Sequence, residues 1–96
     1  SSRFNPKDHM SINGTKYTVR EVTPGGYMVT RQNKKFHIDT HPSMMPTKFE
    51  VDDQVVAYFR STWKRAVVTE VSRSQVTVLI EGEDLPYSTV HAGVRF

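Results

Sequence analysis

Turn-forming pairs cut this sequence into short runs of valine, threonine, tyrosine and phenylalanine. No stretch keeps its apolar residues at the three- and four-residue spacing an amphipathic helix needs. That pattern predicts an all-β chain. It is strongest over residues 49–96, where Val55, Ala57 and Phe59 alternate onto one face, Ala66 and Val68 continue that face, and Val76, Val78 and Ile80 share it on the next run. Neighbouring short runs with one apolar face each are expected to curl into a small β-barrel around these side chains. A short strand near 88–90 and a last turn at 91–96 complete it.

The first forty residues read as a meander. Residues 17–22 form a β-rich run, Pro24-Gly25-Gly26 supplies a tight turn, 27–30 returns, Asn33-Lys34 turns again, and 35–39 is a third short strand. Asn13-Gly14 turns a preceding strand at 10–12. Pro42 and Pro46 cannot donate to a ladder, so 41–48 reads as a Pro-rich linker. The expected organisation is a flexible lead-in over 1–9, an N-terminal three-stranded β-meander over 10–40, the linker, and the barrel over 49–96. A barrel this small has marginal stability alone. The meander is therefore expected to pack on it, or to form with it a degenerate tandem barrel, although no internal repeat stands out.

Composition narrows the function classes. Ninety-six residues leave little room for a deep catalytic cleft, and the absence of cysteine rules out disulfides and thiolate metal sites. No Walker loop, nucleophile elbow or zincin helix is present, so no enzyme and no cofactor are expected. No run is long and apolar enough to read as a membrane span, and an intracellular protein, nuclear or cytoplasmic, is expected. The opening Ser1-Ser2-Arg3, without an initiator methionine, reads as a cut from a longer protein. Net charge is +3 and the isoelectric point about 9.4, a modest bias toward anionic partners.

Three segments carry a resemblance. Phe49-Glu50-Val51-Asp52-Asp53-Gln54-Val55-Val56-Ala57, Trp63-Lys64-Arg65-Ala66 and Val76-Thr77-Val78-Leu79-Ile80 resemble successive strands of a Tudor domain, an SH3-like barrel of the Royal superfamily. The resemblance covers about half the chain. It implies recognition of methylated lysine or arginine by an aromatic cage, in which ring faces attract the cation. Phe59 falls at a ring position, Lys64 stands where a second ring is common, and Leu79-Ile80-Glu81-Gly82-Glu83-Asp84 lacks the usual tyrosine. The cage implied is therefore non-standard, rebuilt from Phe59, Trp63, Tyr58 and Tyr87, with Glu81, Glu83 and Asp84 supplying charge.

The leading expectation is a non-enzymatic module of a chromatin or ribonucleoprotein factor that binds a basic or methylated, histone-like peptide or a partner protein at the barrel mouth. One alternative is a nucleic-acid-binding barrel, with Arg31, Lys34, Lys35, Arg60, Lys64 and Arg65 on phosphates of RNA or DNA and Trp63 or Tyr58 stacking on a base. Another is a purely structural docking domain. His37, Asp39 and His41 alternate onto one face of an extended run, as metal ligands do, with His9 or His91 available to join them. A metal site also needs a fourth ligand and a supporting shell, and none is expected.

Overall fold

Three hairpins are closed by two-residue turns in which both residues take positive φ: Asn13 (49°) with Gly14 (86°), Gln32 (54°) with Asn33 (63°), and Arg60 (50°) with Ser61 (68°). This twist matches that of the flanking strands and fixes their register. The computed structural model describes residues 4–96. The first set of strands is β1 (His9–Ile12), β2 (Thr15–Thr23), β3 (Gly26–Arg31), β4 (Lys34–Asp39) and β5 (Met44–Pro46). The second is β6 (Gln54–Phe59), β7 (Thr62–Val71), β8 (Gln75–Ile80), β9 (Tyr87–Val90) and β10 (Val94–Arg95), with a 3-10 turn at His91–Gly93.

The chain is all-β and divides into two units, one formed by residues up to Lys48 together with Phe96, the other by Phe49–Arg95. Each unit is a five-stranded antiparallel sheet, in the orders β4-β3-β2-β1-β5 and β10-β6-β7-β8-β9. In both, four strands run as a meander and the fifth returns to pair with the first. The N-terminal region is thus a tandem counterpart of the second unit, the second of the two arrangements expected.

The correspondence reaches individual hydrogen bonds. In the first unit Asp8 N–H donates to Asn5 O and the Asp8 carboxylate accepts Asn5 N–H at 2.9 Å. Lys7 N–H donates to Val19 O, and Val19 N–H to Asp8 O. In the second, Asp53 N–H donates to Glu50 O, its carboxylate accepts Glu50 N–H at 2.8 Å, Asp52 N–H donates to Val68 O, and Val68 N–H to Asp53 O. Lys7 and Asp52 both sit at positive φ, 78° and 76°. Each turn follows a buried phenylalanine, Phe4 or Phe49. The register of β2 on β3 shifts between Val19 and Glu21, and that of β7 on β8 between Val68 and Glu70. A bulge thus falls just after the anchoring valine in both units.

Each sheet buries apolar residues on one side, and the second also buries Val56 on the other side of β6. In the first unit Phe4, Met10, Val19, Tyr27, Val29 and Met44 cluster, with Ile12, Tyr17 and Ile38 packed against them. In the second, Val55, Ala57, Ala66, Val68, Val76, Val78 and Ile80 are buried, as their alternation predicted.

Phe96 is held in the first unit by two buried threonines that face each other across β2 and β3. The Thr18 hydroxyl accepts the Phe96 N–H at 2.9 Å, and the Thr30 hydroxyl donates to the Phe96 carbonyl at 3.2 Å. Replacing Thr18 by valine keeps the shape but leaves a buried N–H without its acceptor. A loss of about 1–3 kcal/mol is expected in chemical denaturation, with Thr18→Ser retaining most of the stability.

Two expectations need correction. Residues 4–8 are an ordered turn anchored by Phe4, not part of a flexible lead-in; residues 1–3 lie outside the described residues. The segment 41–48, expected as a linker, contains β5, which pairs with β1 through Met10–Pro46, Ser11–Met45 and Ile12–Met44. β5 is an edge strand, so Pro46 at its end disturbs the ladder little.

Candidate functional site

The two-residue turn Arg60-Ser61 decides which aromatic rings meet. It pairs Phe59 with Thr62, Tyr58 with Trp63 and Ala57 with Lys64. Residues opposite each other in an antiparallel ladder point to the same side, and neighbours along a strand point to opposite sides. Phe59 therefore shares a side with Lys64, while Tyr58 and Trp63 lie on the other.

On the first side, Phe59 meets Tyr87, the first residue of β9, with ring centroids 5.0 Å apart and planes at 72°. Phe59 is half-buried. Two cations approach its ring: Arg60 Cζ lies 4.9 Å and Lys64 Nζ 5.5 Å from the centroid. Lys64 thereby places an ammonium on the Phe59 ring within the same chain.

On the opposite side, Tyr58 and Trp63 have centroids 5.4 Å apart at 58°. The Arg95 guanidinium stacks over Trp63 at 3.9 Å. Tyr58 remains 47% exposed. The four aromatics expected to rebuild one cage thus form two pairs on opposite sides of the β6–β7 ladder. Arg95 carries no local sequence signal for this place, because only the return of β10 beside β6 brings it to this face. The split of the rings, by contrast, follows from the length of the turn.

The carboxylate cluster sits on the β8–β9 connection. Glu83 N–H donates to Ile80 O at 2.9 Å and Gly82 takes φ +85°, a tight turn, while Glu81 N–H donates to Arg65 O at 2.9 Å. Glu81 and Asp84 are exposed, and the chain then runs through Leu85, 77% exposed, to Tyr87. The acidic loop is thus joined to Tyr87 of the ring pair through Leu85 and Pro86.

The cations of the nucleic-acid alternative are distributed over both units. Arg31 and Lys34 flank the β3–β4 turn with Lys35 next to them, whereas Arg60, Lys64 and Arg65 belong to the second unit, Lys64 and Arg65 on opposite sides of β7.

The histidines have separate engagements. His37 Nε2 is hydrogen-bonded to Thr23 Oγ1 at 2.9 Å, and its Nδ1 lies 3.7 Å from Asp39 Oδ1. His41 Nδ1 accepts the Ser43 N–H at 3.0 Å. His9 meets the Thr18 hydroxyl and His91 the Ser72 carbonyl. Among the described residues no three His, Cys, Asp or Glu side chains are grouped to hold a metal ion.

No protein-family profile matches the chain, and no curated protein gives a significant match. Among solved structures, the chain is similar to a crystal structure of ADCP1 tandem Agenet domain 3-4, with 16% sequence identity over 96% of this chain and 79% of that one and a TM-score of 0.46.

Proposed function

We propose that the second unit is a non-enzymatic interaction module that binds a basic segment of a partner protein, methylated or not, where the Phe59–Tyr87 pair meets the Glu81-to-Asp84 loop. The observation that carries this reading is the approach of two cations to Phe59, whose ring partner Tyr87 follows the carboxylate loop in the chain. A ring face that holds Arg60 and Lys64 suits a ligand cation by the same quadrupole interaction, and the loop adds Coulomb attraction at the rim. The Tudor resemblance favours a chromatin or ribonucleoprotein setting.

On this reading Lys64 is a competitor that an incoming cation displaces. Lys64→Met, which keeps the stem and removes the charge, is expected to tighten binding of a trimethyl-lysine peptide about two- to fivefold, the equivalent of an exposed cation–π contact. Tyr87→Ala is expected to weaken it. NMR titration with methylated and unmethylated basic peptides tests this. Silence of Phe59 and Tyr87 at millimolar peptide, in the parent and in Lys64→Met alike, rejects the reading.

Exposed Tyr58, with Trp63 and Arg65 on its side of the sheet, favours a second reading, in which single-stranded nucleic acid stacks on Tyr58. Its signature is affinity that falls steeply with salt and depends on Arg65. Affinity indifferent to salt excludes it.

A further inference from the structure

The first unit carries an unclaimed surface of another kind. β4 is an edge of its sheet and pairs only with β3. Because Arg31 and Lys34 flank a two-residue turn, they form a hydrogen-bonded pair, and such pairs recur at Phe36 and Ile38. The Thr40 N–H donating to Gly25 O at 2.9 Å continues this alternation. The N–H and C=O groups of Lys35, His37 and Asp39 therefore point away from β3, and among the described residues they meet no backbone partner. Their side chains are all exposed, and Phe36 on the other side is 42% exposed.

We propose that β4 is a docking edge for an extended acidic segment of a partner protein, which adds to the sheet as a sixth strand. The backbone groups select a peptide in β conformation, and the side chains select its charge. Arg31, Lys34 and Lys35 gather at the hairpin end without a carboxylate partner among the described residues, while the strand's single carboxylate, Asp39, lies at the far end beside His37. A complementary strand running antiparallel to β4 has acids opposite Lys35 and Lys34 and a β-branched residue opposite Phe36. A second copy of β4 is the rival occupant. Pairing two copies about His37 sets Lys35 against Asp39 of the other strand but leaves Arg31 and Lys34 uncompensated on both, so an acidic partner complements the edge better. Edge lysines are also a common deterrent to self-pairing. The inference concerns the first unit and stands or falls apart from the mouth of the second.

The test uses the 96-residue chain and a capped Thr-Val-Thr-Ile-Glu-Glu peptide. Titration is expected to shift the Lys35, His37 and Asp39 amide signals and to slow their hydrogen exchange. N-methylation of alternate peptide residues keeps the charge and removes the donors; it is expected to weaken binding at least tenfold, as is the double substitution Lys34→Glu with Lys35→Glu. His37→Pro removes one outward donor without touching the β3 ladder and should do likewise, with the circular dichroism unchanged. If that variant fails to fold, the N-methylated peptide decides the question. Equal binding of methylated and unmethylated peptides, shifts confined to other residues, no shift at millimolar peptide, or a concentration-dependent dimer that protects the same three amides each overturns the proposal.

Discussion

Phe4→Ala is expected to destabilise the first unit by about 3–5 kcal/mol, as much as Phe49→Ala destabilises the second. Both rings are buried, 4% and 5% exposed, and both sit immediately before the same Asp-closed turn. Phe4 packs edge-to-face on Tyr27 with centroids 5.8 Å apart, and it belongs to the cluster around Met10, Val19 and Val29. Truncating it leaves a cavity in the small core of a five-stranded sheet, where few neighbours can move in to fill it. Small domains have only about 5–15 kcal/mol of stability in all, so the variant should lie near its unfolding midpoint under mild conditions. The single tryptophan, Trp63, reports the second unit, so the first is best followed by hydrogen exchange at Val19 and Val29. Leu85→Ala, at an exposed site, is the control and should change little. A Phe4→Ala protein as stable as that control would mean that residues 4–8 contribute no structure, as a lead-in would.

The two phenylalanines also show what the sequence made readable. Phe49-Glu50-Val51-Asp52-Asp53 leads into the strongly alternating Val55, Ala57 and Phe59, so its place at the start of a barrel could be inferred. Phe4-Asn5-Pro6-Lys7-Asp8 builds the same turn from different residues, because the turn requires only an aspartate closing it and one residue at positive φ. Little else is conserved between the two copies to mark it. One signal was available: Val19-Arg20-Glu21-Val22 recurs as Val68-Thr69-Glu70-Val71, and both segments carry the bulge. β5 was hidden for another reason, since its proline, Pro46, is acceptable only on an edge strand, a property of topology rather than of local sequence. At the candidate site the register was legible in principle. Reading Arg60-Ser61 as a two-residue turn sets Trp63 opposite Tyr58 and removes it from the Phe59 side, whereas a three-residue turn through Thr62 would set Trp63 opposite Phe59 on one side. The approach of Arg95 and of Tyr87 depends on strand pairings far apart in sequence, which no local pattern encodes.

Gly26→Ala is expected to cost about 3 kcal/mol, the upper part of the range for overpacking, although adding a methyl group to a strand glycine is ordinarily favourable. In Pro24-Gly25-Gly26 the two glycines serve different purposes. Gly25 takes φ +79°, which the turn after Pro24 demands, and a Cβ there meets nothing within 4 Å. Gly26 is the position of close approach: a Cβ would run into the Ile38 carbonyl oxygen and lie 2.9 Å from the Asp39 Cα. Both obstacles are backbone of β4, so no side-chain rotation relieves the clash and the strand itself must shift. Because Gly26 pairs with Asp39 at the end of the β3–β4 ladder, the opening should begin there and spread toward Ile38, leaving the Arg31–Lys34 turn intact. Faster exchange of the Ile38 amide, with a lowered unfolding midpoint, is the measurement. Gly14→Ala separates space from backbone strain: Gly14 has open surroundings but φ +86°, so alanine there should cost only about 1–2 kcal/mol and leave Ile38 protected. If Gly26→Ala proved as mild as Gly14→Ala, the close packing of β3 on β4 would be wrong. The open edge beyond β4, which takes its alignment from that ladder, would then lose its geometric basis.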